Sequence, residues 1–209
     1  MKEIFYDWAG ANVWLFHAIN NVRGQFLDQF MLLGTALGDH ANFPIFLCAV
    51  SFTALLSVAI KRKPDTQRQG SLALRWLTVI AVFSAAYILD GALVGWFKTW
   101  LDFPRPLLAL PSGSMHVVGI SQLHHSLPSG HSSFAMLVIA SLWPMLNRGW
   151  RVIGILFVVW VGLSRISLGA HFPADVAAGY LSSWLMVLLV WMSINALLRR
   201  ITPGDKFAD

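Results

Sequence analysis

Three short stretches of this chain combine residue types suited to handling phosphate. In KTWLDFPRP, Lys98 to Pro106, a lysine is followed seven residues later by an arginine held between two prolines. Pro104 and Pro106 fix the backbone around Arg105 and forbid a regular helix there. A flexible ammonium and a rigid guanidinium fork can thus converge on one anion. In PSGH, Pro128 to His131, a serine and a glycine precede an apolar run. A helix that begins at Ser129 or Gly130 would present the unpaired N–H groups of its first turn to an anion, with Gly130 allowing close approach and His131 at the rim. In SRISLGAHFPAD, Ser164 to Asp175, Arg165 closes one apolar run, and His171 and Asp175 open the next, four residues apart. A carboxylate one turn on can hold one imidazole nitrogen and leave the other free to attack. Plainer readings stand beside each: snorkelling span-end charges for Lys98 and Arg105, a serine N-cap beside an incidental histidine, and an interfacial histidine.

Taken together, the stretches supply His131, His171, Asp175, Lys98, Arg105, Arg165 and the backbone donors of Ser129 and Gly130. Cationic donors around an imidazole suit phosphoryl transfer, because its transition state spreads negative charge over the equatorial oxygens. The nucleophile would be histidine, giving a covalent phosphohistidine. A metal site is not expected: His124, His125 and His131 are ligand types, but acidic partners are scarce in that loop and the basic groups would repel a cation.

These stretches need elements that hold them together, and the composition says which kind. Of 209 residues 56% are hydrophobic and 12% charged, with mean hydropathy +0.62, against roughly 25% charged in soluble domains. The chain reads as a single integral membrane domain over residues 1–209, an all-α polytopic helical bundle. Five stretches approach the roughly 20 apolar residues a span needs: 43–60, 72–97, 132–146, 152–163 with its flanks, and 176–198. Phe26–Leu37 is either a sixth span or a re-entrant piece. Residues 4–20 set Ile4, Phe5, Trp8, Val13, Trp14, Phe16 and Ile19 at mixed helical spacing, as in an interfacial amphipathic helix, and lack a signal-peptide pattern. Several of the ten tryptophans sit near span ends, as in interfacial belts. A net charge of +5 suits anionic headgroups, and no basic run with interleaved aromatics points to nucleic acid. Cys48 stands alone, so no intrachain disulfide is possible.

Lysine and arginine cluster at Lys61, Arg62, Lys63, Arg68 and Arg75, at Arg148 and Arg151, and at Arg199, Arg200 and Lys206. With the five spans alternating, all three clusters fall on one face, which the positive-inside rule makes cytoplasmic. The connections 98–130 and 164–175 then share the opposite face and are expected to meet there. Asp39, His40 and Asn42 belong to that face too, and Asp90 is a span-interior acid expected to pair with a neighbouring polar group or lie near the site.

In order and spacing the three stretches resemble the type 2 phosphatidic acid phosphatase superfamily, membrane lipid phosphatases related to vanadium haloperoxidases. Its Lys, six residues, Arg-Pro corresponds to Lys98, Arg105 and Pro106; its Pro-Ser-Gly-His to Pro128–His131; its Ser-Arg, five residues, His, three residues, Asp to Ser164, Arg165, His171 and Asp175. The resemblance implies a helical bundle in which His171 is the nucleophile, Asp175 its orienter, and His131 the general acid and then base. Lys98, Arg105, Ser129, Gly130 and Arg165 would hold the phosphate oxygens, with no metal or other cofactor. It implies a phosphorylated lipid as substrate, the bilayer as partner and a bacterial inner membrane as location, with the site facing outward. Undecaprenyl diphosphate is the substrate this analogy favours. Phosphatidylglycerol phosphate, phosphatidic acid and lipid A phosphates fit the same pocket, transfer to a lipid acceptor is an alternative to hydrolysis, and a lipid-binding or transport protein is the non-enzyme alternative.

Overall fold

The computed structural model describes residues 6–60, 66–119 and 122–201. Ile4, Phe5, Lys61, Arg62, Lys63 and Lys206, used in the sequence analysis, lie outside them. Among the described residues eight α-helices follow in order: α1 Ala11–Asn20, α2 Gln25–Leu37, α3 Phe43–Ile60, α4 Thr66–Leu101, α5 Pro106–Ala109, α6 Gly130–Leu142, α7 Arg148–Ser167 and α8 Pro173–Ile201. No strand occurs among the described residues.

Among the described residues four helical segments are long and apolar enough to cross a membrane: His40–Ile60, Gly70–Ala109, Arg148–Ser167 and Pro173–Arg200. The two other apolar runs weighed as spans, 132–146 and 26–37, form shorter helices. The apolar run 132–146 becomes α6, thirteen residues continued by the short 3-10 helix Trp143–Met145, because Pro144 and Asn147 end the helix early. This short helix occupies the centre of the bundle, packed against α4, α7 and α8. Thirteen-residue α2 rises only about 20 Å, and it lies against α7 with Phe30 stacked on Trp160 (4.6 Å).

The core is built from one face each of three helices: Val82, Phe83 and Ala86 of α4, Phe134, Leu137 and Val138 of α6, Val187 and Val190 of α8. Lipid and core are equally apolar, so close packing rather than water exclusion holds such helices together. Glycines permit it: a Cβ on Gly154 would lie 2.9 Å from Ile139, and one on Gly162 would collide with Tyr180. The outward faces remain large and apolar, as at Phe52, Leu55, Leu156 and Leu181.

Helices α4 and α7 end, and α3, α6 and α8 begin, at the same end of the bundle, where all three motif stretches gather. Arg75, Arg148, Arg151, Arg199 and Arg200 sit near the opposite helix ends. Across the motif end lies α1, held at both ends by buried asparagines. Asn12 Oδ1 accepts from Ala174 N (3.0 Å), while Asn20 donates to the carbonyls of His116 and Ser167 (2.8 Å each). The expected amphipathic helix thus turns one face onto protein, with Phe16 fully buried against Ile166 and Phe172, and keeps Trp14 exposed.

Candidate active site

Arg105 is placed by two backbone pairings. Its N–H donates to Leu123 O (2.8 Å), and Ser126 N–H donates to Phe103 O (3.0 Å). The 98–106 and 123–131 stretches therefore run side by side, Pro106 starts α5 at its first position, and Arg105 is extended as that helix's N-cap. Its guanidinium turns inward: Nε donates to His124 O (3.0 Å), and Nη1 donates to Ala170 O (3.2 Å) and lies 3.3 Å from His171 Nε2.

His171 sits on the short link between α7 and α8, where Ala170 and His171 N–H groups both donate to Arg165 O (3.0 and 3.2 Å). Asp175 lies in the first turn of α8, and its Oδ2 is 3.4 Å from His171 Nδ1. Three further donors surround this carboxylate. Ser126 Oγ donates to Oδ2 (2.5 Å), the Phe172 N–H donates to Oδ2 (2.8 Å), and the Tyr6 hydroxyl donates to Oδ1 (2.9 Å). The ring is thus fixed with Nδ1 toward the carboxylate and Nε2 toward the cations. Burial, reinforced by Arg105 and Arg165 against the opposing pull of Asp175, lowers the His171 pKa to about 4. The imidazole is neutral at pH 7, with an Nε2 lone pair available as nucleophile. Burial and the Asp175 charge raise the Tyr6 phenol, so it remains a donor.

Ser129 caps the start of α6 from an extended conformation, and its N–H donates to Asp175 O (2.9 Å), which ties α6 to α8 at the site. Its hydroxyl accepts from Ser132 Oγ (3.0 Å) rather than capping the helix. The first-turn N–H groups of Gly130 and His131 therefore remain for an anion. Gly179 makes this contact possible, since a Cβ there would sit 2.5 Å from Ser129 O. His131 Nε2 is 3.9 Å from Asp39 Oδ2; burial, reinforced by Arg165 and His171 against the opposing pull of Asp39, lowers its pKa to about 3. Arg165 Nη1 donates to Thr35 Oγ1 (2.5 Å), whereas its Nε is buried without a partner. Lys98 lines a cavity with Gly130 and His40, and Arg105 and Arg165 are the cations acting on it.

All eight site residues singled out in the sequence thus converge on one end of the bundle. Sequence reasoning missed Tyr6, Ser126, Thr35 and Gly179. Ser126 is one of many serines near the PSGH stretch, and Tyr6 lies 169 residues from its partner Asp175, so no spacing rule could find either. Asp39 was placed on the right face without a contact; it bridges His131 and His40, 3.5 Å from His40 Nδ1. His124 and His125 turn away from the site core: both approach Asp102 Oδ1 (3.4 and 3.1 Å), half-exposed.

A membrane-spanning helical bundle that closes one end over a neutral histidine, a carboxylate and converging cations belongs to a recognisable class of histidine-centred anion sites. The chain is a member of the PAP2 superfamily, which it matches over residues 77–199. It is 38% identical to a lipid A 1-phosphatase of Rhizobium johnstonii over 129 residues, 60% of this chain and 52% of that protein. It is likewise 38% identical to a lipid A 1-phosphatase of Rhizobium etli over 148 residues, 68% of this chain and 63% of that protein. The chain therefore spans between half and two thirds of the length of these curated relatives. The crystal structure of Aquifex aeolicus LpxE superposes with TM-score 0.64 at 26% identity, covering 87% of this chain and 95% of that one.

Proposed function

We propose that the chain is a membrane lipid phosphatase working through a phosphohistidine. In the first step His171 Nε2 attacks phosphorus and the P–N bond forms as the P–O bond to the lipid breaks; His131, neutral in the empty site, takes up a proton as the phosphate charge offsets the neighbouring cations and gives it to the leaving oxygen. In the second, neutral His131 takes a proton from water, the hydroxide attacks phosphorus, and the P–N bond breaks to release phosphate. Asp175 stabilises the positive charge that grows on His171. Lys98, Arg105, Arg165, the Ser129 hydroxyl and the Gly130 N–H face the equatorial oxygens, each such donor supplying about 10²–10³ in rate. The observation that carries this reading is His171 held between Asp175 at Nδ1 and Arg105 at Nε2.

The PAP2 match and the Rhizobium relatives support a phosphorylated lipid as substrate and weight the choice toward a glycolipid 1-phosphate of the lipid A kind. Undecaprenyl diphosphate is the second reading, supported by 32% identity over 78 residues to an undecaprenyl-diphosphatase of Sulfolobus acidocaldarius. The basic residues at the end opposite the site support a bacterial inner-membrane location with the site facing outward.

Phosphate release from lipid A 1-phosphate, undecaprenyl diphosphate, phosphatidylglycerol phosphate and phosphatidic acid, with chelator present, tests the reading. Release from at least one lipid is expected, and His171→Ala should abolish it while lipid binding persists. Unchanged release in that variant sinks the mechanism, and a requirement for magnesium sinks the metal-free pocket. His131→Ala should turn over poorly yet trap labelled phosphohistidine from an aryl phosphate, whose leaving group needs no acid. Absence of that label means the two histidine roles are wrongly assigned.

A further inference from the structure

Each site histidine has a carboxylate beside it. Asp175 lies next to His171 on the same helix start, whereas Asp39 reaches His131 from the turn between α2 and α3, its Oδ2 3.9 Å from His131 Nε2. That turn holds Asp39 in place. Asp39 caps the short 3-10 helix His40–Asn42, with Oδ1 accepting from the Ala41 N–H (2.9 Å). The Asn42 N–H donates to Asp39 O (3.0 Å), and the Asn42 side chain donates to Ala36 O (2.7 Å), which ties the turn to the end of α2. A Cβ on Gly38 would collide with Val161, so the turn lies directly on α7, the helix that carries Arg165. With Oδ1 engaged by the cap, Oδ2 is the oxygen turned toward His131.

The first step needs a proton on His131, because an alkoxide leaves poorly without one. Arg165 from α7, His171 from the link between α7 and α8, and His40 from the turn itself disfavour that proton, and Asp39 favours it. Lys98 of α4 lines the adjoining cavity with His40 and Gly130 and adds positive charge. Bound phosphate offsets the cations it touches, and Asp39 is the negative charge that the protein itself supplies at this ring. A separation of 3.9 Å is too long for a hydrogen bond. The carboxylate therefore stabilises the imidazolium by charge without engaging the Nε2 proton, which stays available to the leaving oxygen. His171 has the opposite arrangement: Asp175 is fully buried, takes three other donors, faces Nδ1 and leaves Nε2 to attack.

We propose that Asp39 is the positioning residue of the general acid: its carboxylate holds the proton on His131 until the lipid alkoxide departs. The inference rests on the phosphatase reading and adds to it a residue from outside the three motif stretches.

Asp39→Asn tests it, since the amide still offers an oxygen to the Ala41 N–H and asparagine caps as well as aspartate; what is lost is the charge. Phosphohistidine formation is followed by rapid quench in single turnovers of the full chain in detergent. One substrate is the fastest of lipid A 1-phosphate, phosphatidylglycerol phosphate and phosphatidic acid, each of which releases an alkoxide. The other is p-nitrophenyl phosphate, whose phenolate needs no acid. The two side chains are 22% and 43% exposed, so solvent screens the pair, and removing the carboxylate should lower the protonated population of His131 about tenfold. The lipid-to-aryl ratio of formation rates should then fall about tenfold on the alkaline side of the pH profile, and the alkaline limb for the lipid, where the acid loses its proton, should move to lower pH by about 1. A merely structural defect in the turn slows both substrates together, so an unchanged ratio or an unmoved limb overturns the inference whatever happens to the absolute rates. Absence of phosphohistidine from every substrate in the wild type overturns the phosphatase reading together with this inference, an outcome distinct from an unchanged ratio in an active enzyme.

Discussion

Removing one oxygen atom from Tyr6 tests whether the far N-terminus is part of the catalytic machinery. Tyr6 donates to Asp175 Oδ1 (2.9 Å), while its ring packs against Phe103 (centroids 4.4 Å) and edge-on against Phe172 (6.1 Å). Tyr6→Phe keeps both ring contacts and deletes only the donor. A hydrogen bond to a charged acceptor contributes about 1.5–3 kcal/mol. Because this one is part-buried and Asp175 keeps Ser126 and the Phe172 N–H, the lower end applies, about tenfold in rate. The carboxylate matters most while His171 gains positive charge, so the loss should fall on phosphohistidine formation and leave KM within about twofold. Rapid-quench measurement of phosphoenzyme formation in a single turnover checks this, with thermal unfolding as the control for folding. A normal rate of formation, or a loss confined to KM, refutes the placement of Tyr6 behind Asp175.

Two further outcomes follow from the geometry. His171 is held at a pKa of about 4 against an ordinary 6.5, so between those values the unfolded chain binds a proton that the native state excludes. Native stability should therefore decline as pH falls from 6.5 toward 4, by up to roughly 3 kcal/mol. Thermal unfolding at pH 7, 5.5 and 4.5 should show a flatter pH slope for His171→Ala than for the wild type, and equal slopes contradict it. Gly179→Ala should destabilise by about 1–3 kcal/mol and lower kcat as well, since the new Cβ would press Ser129 O at 2.5 Å and displace the start of α6; a wild-type kcat and melting temperature would show that α6 can yield without moving the PSGH turn.

Much of this protein is carried by local sequence. Apolar runs bounded by charges place helices, since a bilayer admits backbone only where its polar groups are paired internally. Pro106 fixes the start of α5, and the i, i+4 spacing of His171 and Asp175 brings ring and carboxylate together at the start of α8. The gathering of the three motif stretches at one end follows from alternating spans, a matter of counting. At α6 the apolar run yields a helix of thirteen residues, ended near Pro144 and packed centrally against α4, α7 and α8.

Tertiary structure decided everything that depends on contacts between distant segments. Two of the donors on Asp175 come from Tyr6 and Ser126, Arg165 leans on Thr35, and Asp39 stands beside His131. None of these pairs has a periodicity, because hydrogen bonds between elements depend on how whole helices pack. The pairing of Asp90 belongs to the same category: the sequence places an acid inside a span, and only the meeting of α4, α6 and α8 brings the Ser133 and Ser183 hydroxyls onto its carboxylate.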